Sequence, residues 1–186
     1  MRCAAVDKPD RVVDVDLAAE LARMAAEDQR VRTPPSDSTE FVRLPSVAES
    51  MEAARIDVAN TDRLRAIIAK HGWPGRALVG DEGAEAAWLI AQHADRQLDF
   101  QREALALLDR AVHSGDAPAS HLAYLTDRVC MNEGRPQLFG TQVADITNGV
   151  ASPWPIEDEE HVDQRRGNAG LGSLADYLNS FTSASP

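Results

Sequence analysis

Apolar side chains recur every three or four positions along most of the chain, the period of helices with one buried face. The first stripe predicts a helix from about Asp14 to Arg30. Leu17, Leu21, Met24 and Asp28 share one face there, with Ala18, Ala22 and Ala25 beside it. The segment RTPPSDSTE breaks the pattern, because Pro34 and Pro35 cannot continue a helix. Val47, Met51, Ala54 and Val58 predict a second helix over Ser46–Val58. Asn60-Thr61-Asp62 then predicts a kink or a fresh N-cap. Leu64, Ile67, Ile68 and His71 follow, closed by Gly72, and Trp73-Pro74-Gly75 makes a rigid turn.

A third helix is predicted from Ala84 to His93, with Ala86, Leu89, Ile90 and His93 on one side. A fourth starts near Asp99, carries Phe100, Ala104, Leu107, Leu108 and Ala111, and ends at Gly115. Pro118 suits the first turn of a fifth, whose core positions are Leu122, Leu125 and Val129 and whose stop is Gly134. The period then changes. QLFGTQVADITNGVASPWPI is rich in β-branched residues, and Asn148-Gly149 is a two-residue turn signal. A hairpin at about 138–153 is expected, then a short helix over Glu157–Arg166. The last helix starts at Ser173, with Asp176 at capping-box spacing and Leu174, Tyr177, Leu178 and Phe181 to dock it.

The expected fold is therefore mainly α: a compact helical bundle with a small β-hairpin near the C-terminus. Residues 1–45 read as an N-terminal helix and linker arm, 46–182 as one helical domain, and 183–186 as a frayed tail. Composition supports a packed core, since 44% of the 186 residues are hydrophobic. A formal charge of −11 disfavours nucleic acid and anionic membrane surfaces as partners. No apolar run is long enough to span a bilayer, and MRCAAVDKPDRVVDVD lacks the core of a secretory signal, so a cytoplasmic location is expected. Cys3 and Cys130 make no disulfide framework, and Cys130 reads as a small core residue.

Four polar clusters stand out against this background. In AWLIAQHAD, the spacing from Leu89 and Ile90 places His93 on the buried side, next to Gln92. Asp95 lies about 200° round an ideal helix from His93, which suits a cap or a brace better than a direct partner. In HLAYLTDRV, Tyr124 and Arg128 are i,i+4 neighbours, and the Arg128 guanidinium matches a carboxylate or phosphate in a fork. Asp127 beside it can orient or balance charge. In GRPQLFGTQ, Gln137, Thr141 and Gln142 supply neutral donors and acceptors around Gly140. In WPIEDEEHVDQRR, Asp158 suits an N-cap and Arg166 a further anion contact. Metal ligation would need His71, His93, His121, Asp95 and Asp127 to converge from distant helices. Phosphate-loop, nucleophile-elbow, zinc-protease and dithiol motifs are lacking, so no cofactor is expected.

The ordered series GWP, VG, QHAD, DR, GRPQLFGTQ, WPIED and RR with a following GL resembles a widespread bacterial family of uncharacterised helical domains. The likeness covers about residues 57–178. It marks Trp73, Pro74, Gly80, Gln92, His93, Asp95, Asp127, Arg128, Gln137, Gly140, Gln142, Asp158 and Arg166. Most are polar, where a purely structural signature would be chiefly Gly, Pro and apolar, so the resemblance implies a shared pocket.

The resulting expectation is a cofactor-independent small-molecule enzyme of hydrolase, lyase or cyclase type. His93 is the candidate general acid/base, and Asp127 and Arg128 complete the catalytic set. Gln92, Gln137, Thr141, Gln142, Arg166 and Trp73 would bind an anionic or amide-containing substrate. Two alternatives stand beside it. One is a non-catalytic peptide- or protein-binding module whose polar motif is a structural network. The other is a His/Asp metalloenzyme. They differ in whether His93 is reachable in a cleft, closed off with both nitrogens bonded, or within ligand distance of another metal-binding group.

Overall fold

In the computed structural model, residues 13–32, 46–147 and 149–181 are described. Among them the helices are α1 Val15–Arg32, α2 Val47–His71, α3 Arg76–Gln92, α4 Leu98–His113, α5 Ala119–Asn132, α6 Val162–Asn168 and α7 Leu174–Ser180. The strands β1 Val143–Thr147 and β2 Val150–Pro153 pair antiparallel between α5 and α6. The expected class, a mainly α fold with a C-terminal hairpin, is the observed one. No helix among the described residues is long and apolar enough to cross a membrane.

Local chemistry sets the helix ends. Asp14 opens α1 by accepting the Leu17 N–H at 3.0 Å. Ser46 and Glu49 form a reciprocal capping box at the start of α2, and Gly72, at φ 75°, ends it. Ser173 accepts the Asp176 N–H at 3.1 Å to open α7, as the spacing predicts. Asp158, in contrast, adopts a left-handed φ of 50° and makes no side-chain cap; its carboxylate holds His161 instead.

Two expectations change. The break at Asn60-Thr61-Asp62 does not occur, and α2 runs unbroken across it. All three polar side chains are used otherwise. Thr61 donates back to the Asp57 carbonyl at 2.7 Å, Asn60 donates to the Met24 carbonyl of α1 at 3.1 Å, and Asp62 accepts from Gln97 at 3.2 Å. The third helix also starts earlier than Ala84, and the run Arg76–Gln92 is broken in two at Gly80, whose φ of 72° and ψ of 178° are not helical.

The core is built jointly by the five helices α1, α2, α3, α4 and α5. Leu17 and Leu21 meet Leu64, Ile67, Ile90, Phe100, Leu108 and Leu125 in one apolar cluster. Gly83 allows the close approach of α1 to α3: a Cβ there would lie 2.7 Å from Val79 and 3.4 Å from the Ala18 backbone. The hairpin pairs Thr147 with Val150 and Ile146 with Ala151, and α7 packs on β2. Asn148, the first half of the turn signal, lies outside the described residues. Gly149, at φ 74°, supplies the left-handed conformation the turn needs.

Candidate functional site

His93 is the residue that closes α3. Its Nδ1 lies 2.8 and 2.9 Å from the two carboxylate oxygens of Asp28, which projects from α1 and is 1% exposed. The ring keeps 15% exposure, and its hydrogen bonds among the described residues all run through Nδ1. Asp28 also accepts from Arg32 at 3.3 Å and Gln29 at 2.8 Å, and Arg32 reaches on to Asp57 of α2. Burial pushes the Asp28 carboxyl up, but the hydrogen bonds and charges of His93 and Arg32 outweigh it and hold it below the ordinary value. At Asp57 burial wins over Arg32, and the carboxyl is raised.

A buried carboxylate on Nδ1 selects the tautomer that is protonated there, which leaves Nε2 as the nitrogen able to take or give a proton. The pairing follows from two sequence features that are alike. His93 and Asp28 each interrupt an apolar helix face, and the packing of α1 on α3 brings the two interruptions together.

Asp127 and the glutamines serve a different construction. Asp127, fully buried in α5, accepts the backbone N–H groups of Leu138 at 2.8 Å, Phe139 at 3.0 Å and Thr141 at 2.9 Å. The Thr141 hydroxyl donates to the same carboxylate at 2.9 Å. Gln137 donates to the carbonyls of Gln142 and Trp154 and accepts the Gln142 N–H, which ties the loop to the root of the hairpin. Arg166, 2% exposed, donates to the carbonyls of Gly172 and Phe139 and stacks on the Tyr177 ring. Gly140 sits at φ 67° inside this loop, against Leu174 and Ile156.

Arg128 links this loop to the end of α3, donating to Asp95 and to the Gln142 side chain, both at 3.0 Å. Asp95 also accepts from Asn132 and Gln101, so it acts as a brace rather than as a partner of His93. Gln101, buried on α4, donates to the last carbonyls of α3. Gln92 donates to the Tyr124 carbonyl at 3.3 Å, and its buried Oε1 has no partner among the described residues. Tyr124 belongs to a row of aromatic contacts in which Trp88 stacks on His121 at 4.2 Å. Burial and the Arg76 charge push His121 down to about 4.

Of the residues expected to share a pocket, Asp127, Arg128, Gln137, Thr141, Gln142 and Arg166 come together at the α5–hairpin junction. Gln92 reaches the same helix through Tyr124. His93 bonds Asp28 instead of Asp127, Arg128 or Gln142. Trp73 sits in the α2–α3 turn, at the other end of α3 from Gln92, with its buried indole N–H unpartnered among the described residues. Asp28, Arg32 and Asp57 were not among the expected site residues. The signal for Asp28 was its place on the Leu17, Leu21, Met24 stripe; Arg32 and Asp57 carried none. Cys130 is buried, and burial raises its thiol pKa. No group of three or more His, Cys, Asp or Glu among the described residues is placed to hold a metal ion.

Among known proteins, the model of a family of unknown function, DUF6624, matches residues 15–185. No curated protein and no solved structure matches the chain.

Proposed function

The chain belongs to DUF6624, a family of unknown function, and we propose that it is a small-molecule enzyme working by proton transfer at His93. The observation that carries this reading is the bond of both Asp28 oxygens to His93 Nδ1. Asp28 is a positioning residue: buried, held below the ordinary carboxylate range and braced by Arg32, it stays ionised and stabilises the imidazolium formed when Nε2 takes a proton. The return of that proton to a leaving group or carbanion completes a hydrolytic, lyase or cyclising step without a cofactor. Asp127, Gln137, Thr141, Gln142 and Arg166 then have a supporting role, holding the hairpin loop to α5.

A second reading is favoured by that same loop. The amide groups of Gln137 and Gln142 and the carboxylate of Asp127 spend their hydrogen bonds within the chain. A non-catalytic binding module built on a structural network accounts for them equally well. Turnover separates the two. Purified protein is incubated with a small-metabolite extract, and conversion is followed by mass spectrometry. His93→Gln abolishes conversion and Asp28→Asn slows it by about a hundredfold. Conversion at the parent rate by folded His93→Gln protein sinks the catalytic reading.

A further inference from the structure

The N-terminal half of α2 presents an apolar face that the bundle leaves uncovered. Val47 is 78% exposed, Met51 68% and Val58 39%. With Ala54 they line an open groove of about 550 Å³. Its charged walls are Arg55 from α2 and Arg96 from the α3–α4 loop. Both are exposed, and among the described residues neither forms an ion pair, unlike Arg30, Arg32, Arg63, Arg65 and Arg128. Glu27, whose carboxyl feels the charge of Arg55, is itself held by Arg30 at 2.9 Å. The chain as a whole carries 30 acidic and 19 basic residues, so a groove whose charged walls are both arginine runs against the surface.

Two of the groove's lining residues neighbour the His93 cluster along the chain. Arg96 follows His93 by three residues in one loop, and Val58 follows Asp57, the carboxylate that holds Arg32. Asp57 and Asp28, the partner of His93, share the Arg32 guanidinium.

We infer that this groove is the substrate site and takes a small organic anion with an aliphatic tail, the tail on Val47, Met51, Ala54 and Val58 and the anionic head on Arg55 and Arg96. The inference rests on the catalytic reading of His93 for the word substrate, and on the groove alone for binding. Its volume falls in the range of small-ligand sites, about 300–1,000 Å³. Guanidinium matches the planar fork of a carboxylate or phosphate, and apolar walls favour a tail over a free inorganic ion.

Calorimetric titration with octanoate, octyl phosphate and octanol tests it on the whole chain, with sedimentation in parallel. One anion saturates at one per chain, octanol binds more weakly, and Arg55→Gln or Arg96→Gln weakens the anion about tenfold each. Which head binds tighter names the class. Saturable anion binding without His93-dependent turnover in the metabolite assay removes the catalytic reading and keeps the groove. Saturation by neither anion, affinity indifferent to both arginine substitutions, or a dimer that dissociates on Met51→Asp overturns the inference.

Discussion

Replacing Asp127 by alanine tests how much of the polar motif is structural. The substitution strips one carboxylate from three backbone N–H groups, those of Leu138, Phe139 and Thr141, held at 2.8, 3.0 and 2.9 Å. The Thr141 hydroxyl can turn to another acceptor, but the three amides are fixed by the loop. A buried donor left unpaired costs about 1–3 kcal/mol, so three cost several. Against that, the protein no longer buries a charge, and water can reach part of the space. The balance is a loss of about 4 kcal/mol, at the severe end for a single substitution. Asp127→Asn keeps one acceptor oxygen but turns an N–H donor toward other donors, and loses about 2 kcal/mol. Urea unfolding followed by circular dichroism measures both, and hydrogen exchange reports the Leu138, Phe139 and Thr141 amides directly. A folded Asp127→Ala protein within about 1 kcal/mol of the parent, with those amides still protected, would refute the account of the loop.

Two further outcomes follow from other sites. His121, pushed down to about 4 from an ordinary 6.5, is neutral in the fold while the unfolded chain protonates, so stability is complete above pH 6.5 and declines as pH falls toward 4. After discounting for partial exposure the loss is about 2 kcal/mol, and His121→Phe flattens that part of a pH-dependent unfolding curve. At Gly140, with φ 67°, an alanine Cβ would lie 2.7 Å from Leu174, so Gly140→Ala costs about 3 kcal/mol in thermal unfolding, combining backbone strain with overpacking. An unchanged melting temperature there contradicts the packing of α7 on the loop.

Helix positions were legible because the apolar period is local, and so were the stops at Gly72, Gly115 and Gly134. The misread break at Asn60-Thr61-Asp62 shows the limit of that rule. Residues that favour caps also serve as donors to a neighbouring helix, and the choice depends on α1 lying beside α2.

The candidate site divided along the same line. The sequence by itself determined which side chains are out of place: His93 and Asp28 on apolar stripes, Asp127 beside Arg128, and glutamines around Gly140. It did not determine their partners. Asp28 and His93 are 65 residues apart, and nothing in the spacing of either helix chooses between Asp28 and Asp127 as the carboxylate that meets the ring. That choice was made by the approach of α1 to α3 over Gly83, which buries the two polar groups against each other, where each would be costly alone.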